Sequence, residues 1–126
     1  HVSRNSLMPE SIASLASMFF GAKLKGAVEH AGYEYKGAIG VAGLCNAIDA
    51  SKPVAVLLDL SKEDIDIEDA VSTITEHTES PIIAYCGHVE TQKLQLAESL
   101  GCYTATNGAI SNSFEAVLAK VLRAHE

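Results

Sequence analysis

The sequence predicts one doubly wound α/β domain: five parallel strands alternating with five helices, in the strand order 2-1-3-4-5. Three observations lead there. Residues 53–61, Pro-Val-Ala-Val-Leu-Leu-Asp-Leu-Ser, are an apolar run broken by a single carboxylate, Asp59, near its end. Such a run reads as a strand buried on both faces, the middle of a parallel sheet. A second run, Pro-Ile-Ile-Ala-Tyr at 81–85, has the same character. Between the strand-like runs lie stretches with apolar residues at helical spacing and short connections, the pattern of an alternating α/β chain. At 126 residues the chain has enough length for one such domain and its core.

In chain order, residues 1–10 have no sustained period and read as a tail or tag remnant, leaving 11–126 as the domain. Residues 11–17 form a short strand of small residues. Phe20, Leu24, Ala27, Val28 and Ala31 then share one helix face, with Gly32 just past its end as a C-cap. Residues 33–39 alternate and then turn apolar, as an edge strand does. Val41–Ala50 reads as a short helix with Leu44, Ala47 and Ile48 inward, broken by Ser51-Lys52-Pro53 before the central strand.

After Asp59 comes an acidic loop, then Ile67, Val71 and Ile74 at helical spacing, with Asp66 at the N-cap and Asp69 in the first turn. Ser80-Pro81 stops that helix and opens the fourth strand. Cys86-Gly87-His88 turns into a helix over 90–100, with Leu94, Ala97 and Leu100 inward and Gly101 as C-cap. Tyr103–Asn107 is a short strand and Gly108–Ser113 a loop. Asn112 with Glu115 makes a capping box for a last helix striped by Phe114, Val117, Leu118 and Val121.

Composition narrows the function classes. A net charge of −7, with nine scattered basic residues, excludes an electrostatic footprint for nucleic acid. No apolar run approaches the roughly 18 residues of a membrane span, and no signal-peptide pattern opens the chain, so a cytoplasmic protein with no membrane partner is expected. Cys45, Cys86 and Cys102 have no metal-ligand spacing, and their odd number suits buried free thiols in a reducing compartment. Cys86 and Cys102 fall about 15 Å apart on the predicted strands, too far for a disulfide.

With this order, Val-Leu-Leu-Asp-Leu at 56–60 resembles the third strand of two-component response-regulator receiver domains, the CheY-like branch of the flavodoxin-like fold. Pro-Ile-Ile-Ala-Tyr-Cys-Gly at 81–87 resembles their fourth strand, and Ala97–Gly101 the exit of their fourth helix. The resemblance spans nearly all of 11–126. It implies that Asp59 holds the place of the phosphate-accepting aspartate. The same comparison exposes what is missing. The two metal-binding acids after strand one are replaced by Ser17-Met18-Phe19, the hydroxyl residue ending strand four by Cys86, and the lysine ending strand five by Thr106-Asn107-Gly108-Ala109.

Phosphoryl transfer is mostly positioning and charge neutralisation by metal and cation. One carboxylate makes a weak Mg²⁺ site. The expectation is therefore an atypical, or pseudo-, receiver: a non-enzymatic signalling or docking module with no cofactor and no bound Mg²⁺. It would bind a protein partner or a second copy through the fourth helix, fifth strand and last helix. The alternatives are a phosphoaccepting receiver using Asp59, and a small-molecule sensor with its ligand in the crevice of Ser17, Asp59, Cys86 and Asn107. A dinucleotide or flavin enzyme has less support, because 108–111 lacks the glycines and lysine of a phosphate loop.

Two further clusters have plainer readings. Cys86 near a helix start, with His88 two residues on, has the residue types of a nucleophilic thiol. A small side chain closing a strand end is the expected reading, because nothing in the sequence fixes Cys86 and His88 in contact. His30, His77 and His125 lie near helix ends, where imidazole suits the helix dipole, and no pair has metal-ligand spacing. Glu63-Asp64, Asp66 and Glu68-Asp69 read as a solvated acidic loop that would repel phosphate donors.

Overall fold

The computed structural model describes residues 9–61, 65–87 and 90–125, and within these it has one five-stranded parallel sheet in the order β2-β1-β3-β4-β5. The strands are β1 (Ser11–Leu15), β2 (Glu34–Ala38), β3 (Ala55–Asp59), β4 (Ile82–Cys86) and β5 (Tyr103–Thr106). The helices are α1 (Met18–His30), α2 (Val41–Ser51), α3 (Ile67–His77), α4 (Thr91–Ser99), α5 (Asn107–Asn112) and α6 (Phe114–His125). Fold class and strand order are as expected from the sequence.

Alternation along the buried strands divides the core into two layers. Ala13, Leu15, Val56, Leu58, Ala84 and Cys86 point to the face covered by α2, α3 and α4, against Leu44, Ile48, Val71, Ile74 and Ala97. Ile12, Leu57, Ile83 and Tyr85 point the other way, against Leu24 and Val28 of α1, Ile110 of α5, and Phe114, Leu118 and Val121 of α6. All five residues of β3 are buried, so the strand is flanked by packed layers and Asp59 is delivered to the sheet's carboxyl edge without freedom to swing.

The expected helix ends hold. Beyond α1, Gly32 takes φ +95°, its N–H donating to the Glu29 carbonyl (3.0 Å) and the next N–H, of Tyr33, to Val28 (3.2 Å). Beyond α4, Gly101 takes φ +97° and repeats the pattern, with Gly101 donating to Glu98 and Cys102 to Ala97, each at 3.0 Å. Both are Schellman closures, which require a residue that tolerates the left-handed region. Asp66 caps α3 by accepting from the Asp69 N–H at 3.1 Å.

One stretch departs from the sequence reading. The expected loop at Gly108–Ser113 is mostly helix, so the described residues contain six helices rather than the expected five. Thr106 Oγ1 caps α5 by accepting from the Ala109 N–H (3.2 Å), and Ser111 Oγ donates back to the Asn107 carbonyl (2.9 Å). Ile110, fully buried, anchors the turn. Local hydroxyl bonds thus satisfy a composition that favours loops in isolation. The expected capping box is displaced too: Asn112 ends α5, and the Ser113 carbonyl accepts from Val117 N–H at the start of α6.

Candidate functional site

Asp59 closes β3 at the centre of the sheet's carboxyl edge and is 2% exposed. Both oxygens of its carboxylate accept hydrogen bonds. Oδ1 accepts from the Ser61 N–H (2.9 Å) and the Ser61 hydroxyl (2.5 Å); Oδ2 accepts from the Ser17 N–H (3.3 Å). These bonds tie the end of β3 to its own exit loop and to the start of α1. Ser17 is also the N-cap of α1, its Oγ accepting from the Phe20 N–H at 3.3 Å.

The remaining expected positions fall around this carboxylate to different degrees. β1 pairs Leu15 with Leu58, so one further step of the register sets Ala16 beside Asp59. Ser17 reaches it through its backbone, and Met18 is already the first residue of α1. Neither Ala16 nor Ser17 carries a carboxylate. Cys86 ends β4 one residue beyond Tyr85, the register partner of Asp59. It is fully buried, and its thiol donates to the Glu90 carbonyl at 3.5 Å. Cys86 pairs with Thr106 across β4 and β5, so an uncharged residue stands at the end of strand five as well. Asn107 and the exposed Gly108 begin α5; no hydrogen bond joins either to Asp59 among the described residues.

The Cys86 thiol is held in its protonated form. Burial pushes its pKa up, Glu90 adds to the effect, Lys93 opposes it, and Asp59 adds a little more. A helix start would favour thiolate, but desolvation and a neighbouring carboxylate outweigh it here. The nucleophilic reading of Cys86 loses its physical basis. Its proposed helper His88, with Val89, lies outside the described residues, as do residues 1–8 and Lys62-Glu63-Asp64 of the acidic stretch.

Three residues at the site are not evident in the sequence. Ser61 could have been found, because a hydroxyl two residues after an aspartate is a common local turn pattern. Lys93 had no such signal: from α4 its ammonium donates to the Leu60 carbonyl (3.2 Å) and pairs with Glu90 (2.7 Å). That hydrogen bond to Glu90 is the main cause raising the Lys93 pKa. Tyr85 is the third. Its hydroxyl is pushed up by burial, then by Asp59 and Tyr35, with Ser14 pulling the other way. The site therefore has a cation at its rim, supplied by a helix rather than by the end of strand five.

Other expected features have simple partners. His77, closing α3, pairs with Asp49 of α2 at 2.9 Å. His125, closing α6, joins the Tyr103 hydroxyl (3.2 Å) and the Glu79 carbonyl (2.8 Å). All three cysteines are free and buried. Among the described residues, no group of three His, Cys, Asp or Glu is placed to hold a metal ion. Among the described residues, no helix is long and apolar enough to cross a membrane.

No model of a known protein family matches the sequence, and none of the curated proteins does. Solved structures do match. The receiver domain of the TMAO respiratory-system response regulator TorR superposes with a TM-score of 0.81 at 17% identity, covering 94% of this chain and 100% of that one. A two-component response regulator from Clostridium difficile gives 0.77 at 20% identity, covering 92% and 97%. A CheY-like protein, TadZ, from Pseudomonas aeruginosa gives 0.71 at 14%, covering 89% and 98%. The chain has the fold of response-regulator receiver domains.

Proposed function

We propose that this domain is an atypical receiver, a signalling module that works by protein docking and does not carry out Mg²⁺-dependent phosphotransfer. The observation that carries this reading is the state of Asp59, buried at 2% exposure with both carboxylate oxygens already accepting hydrogen bonds. A phosphoryl group arriving there would need metal and cation to neutralise its charge. Ala16 and Ser17 bring no metal ligand of their own charge, Cys86 brings no hydroxyl, and Thr106 brings no cation. Phosphoacceptance by Asp59 has one supporting observation, Lys93 at the rim, but that ammonium is paired with Glu90.

The docking surface in this reading is the face made by α4, β5 and α6, and its occupant is a second copy of the chain. A groove of about 590 Å³ there is lined by Cys102, Tyr103, Ala105, Val117 and Val121, with Glu98 on one rim and Lys120 on the other. A two-fold interface sets each patch against itself. Glu98 of one copy would then meet Lys120 of the other, so the rims are complementary in the paired state.

Intact mass after incubation with acetyl phosphate and Mg²⁺ tests the first half, on wild type and Asp59→Asn. No adduct on either is expected; an adduct on wild type alone overturns the reading. Sedimentation velocity tests the second half. Wild type should show a concentration-dependent dimer, Glu98→Lys should weaken it, and Glu98→Lys with Lys120→Glu should restore it. A monomer at all concentrations removes the second copy as the occupant.

A further inference from the structure

β2 ends the sheet on its side, and among the described residues no strand pairs with its outer edge. In a parallel ladder the backbone groups of alternate residues turn to opposite sides. The Glu34 N–H donates inward, to the Glu10 carbonyl at 2.9 Å. Glu34, Lys36 and Ala38 therefore bond toward β1, and the N–H and C=O of Tyr35 and Gly37 face outward. Proteins usually blunt such an edge with proline, a bulge or a covering segment. β2 reads Glu-Tyr-Lys-Gly-Ala, with no proline and an unbroken register against β1. Glu34 and Gly37 are exposed, and Ile39, just beyond the strand, is 80% exposed.

Charge selects both the partner and the register. When two copies of this edge meet antiparallel about a two-fold axis, outward residues must face outward residues, so the possible registers differ by steps of two. Tyr35 opposite Gly37 sets Lys36 against Lys36 of the second copy. Tyr35 opposite Tyr33 sets Glu34 against Glu34. Tyr35 opposite Tyr35 sets each Glu34 against the other copy's Lys36. Like charges directly opposite are destabilising and unlike charges stabilising, so the last register is favoured.

We propose that β2 pairs antiparallel with β2 of a second copy of this chain, Tyr35 opposite Tyr35, so that the two sheets become one. Glu34 and Lys36 then face each other at non-hydrogen-bonded positions, where side chains across a ladder stand closest. Within each strand the Lys36 ammonium already pairs with the Glu34 carboxylate at 3.2 Å, so both charges lie on one face and the contact gathers four of them. The rings leave the axis clear. Tyr35 leans along its own strand over Gly37, where a Cβ would come within 2.8 Å of its Cε2. The antiparallel sense also carries each exposed Ile39 toward the amino end of the other β2. This contact uses the edge opposite β5 and does not rest on the docking reading.

Amide hydrogen exchange followed by NMR on the full chain locates the contact. Exchange at the Tyr35 and Gly37 N–H groups should slow as protein concentration rises; exchange at both that is independent of concentration overturns the proposal. Sedimentation velocity tests the register, with every protein carrying Glu98→Lys so that association through α4, β5 and α6 does not contribute. Glu34→Lys and Lys36→Glu each set like charges opposite one another at both pairs and should weaken association about tenfold. An equal mixture of the two variants should restore it, because every reversed charge then faces its opposite across the axis. Mixing cannot repair an ion pair within one strand, so restoration places the pairing between chains. A mixture that associates no more strongly than either variant alone overturns the proposal.

Discussion

Removing the Asp59 carboxylate should destabilise the domain. In a working acidic site the opposite is common, since crowded carboxylates repel each other and their removal relieves strain. Asp59 has no carboxylate beside it at Ala16 or Ser17; it has three donors, the Ser61 N–H, the Ser61 hydroxyl and the Ser17 N–H. Hydrogen bonds to a charged acceptor contribute about 1.5–3 kcal/mol each. Both Ser61 donors lie at an exposed position and would find water in the variant, so their share of the loss is small. Ser17 is half-buried, and its N–H bond to Asp59 is the longer one. Relief of the buried charge offsets part of the loss. The balance for Asp59→Ala is a loss of about 2–3 kcal/mol, or about 10 °C in Tm for a chain of this size. Asp59→Asn keeps one carbonyl acceptor but turns an NH₂ toward a donor, for a loss of about 1–2 kcal/mol. Urea unfolding at pH 7 measures both. Equal or greater stability in either variant would refute the view that Asp59 serves as a clip between β3 and α1.

Burial raises the Cys102 thiol from 9.0 to about 11. Above pH 9 the unfolded chain releases this proton while the folded chain keeps it, so the unfolded state binds fewer protons and stability falls as pH rises from 9 to 11. The loss approaches about 2 kcal/mol by pH 11. Cys102→Ala should flatten that slope in urea titrations, and an unchanged slope would assign it to another group. Gly101→Ala forces a Cβ into φ +97° at the α4 closure, and thermal unfolding should show a loss of about 1 kcal/mol. The same substitution at Gly26, mid-helix in α1 with open space where its Cβ would sit, should instead stabilise by up to about 1 kcal/mol.

The fold was legible because its signals are local and repeat. The apolar runs ending in Asp59 and Tyr85 can be buried only inside a parallel sheet, and Gly32 and Gly101 mark two helix ends by a conformation few other residues take. The α5 turn was not legible, because its stability comes from Ile110 entering a core built by distant residues. The site was half legible. Asp59 announces itself as a charge at the end of an apolar strand, and counting along that frame brings Ser17, Cys86 and Asn107 to the same edge of the sheet. Lys93 reaches Leu60 across 33 positions of sequence, and Ser14, Tyr35 and Tyr85 meet only once the sheet has formed. Side chains brought together by tertiary structure leave no period in the chain.

The donors around Asp59 bear on why a carboxylate is stable at this strand end. An ionised carboxylate would be a cost at a buried strand end unless donors surrounded it. Ser61 and Ser17 are those donors, and Ser17 also caps α1, so one carboxylate fixes the exit of the central strand and the start of the first helix together. On the opposite layer the Cys86 thiol and the Lys93 ammonium both converge on Glu90, fixing the approach to α4. The carboxyl edge of the sheet is thereby cross-linked on both faces. On the reading proposed above, a rigid edge of that kind serves a domain whose surface is read by a partner.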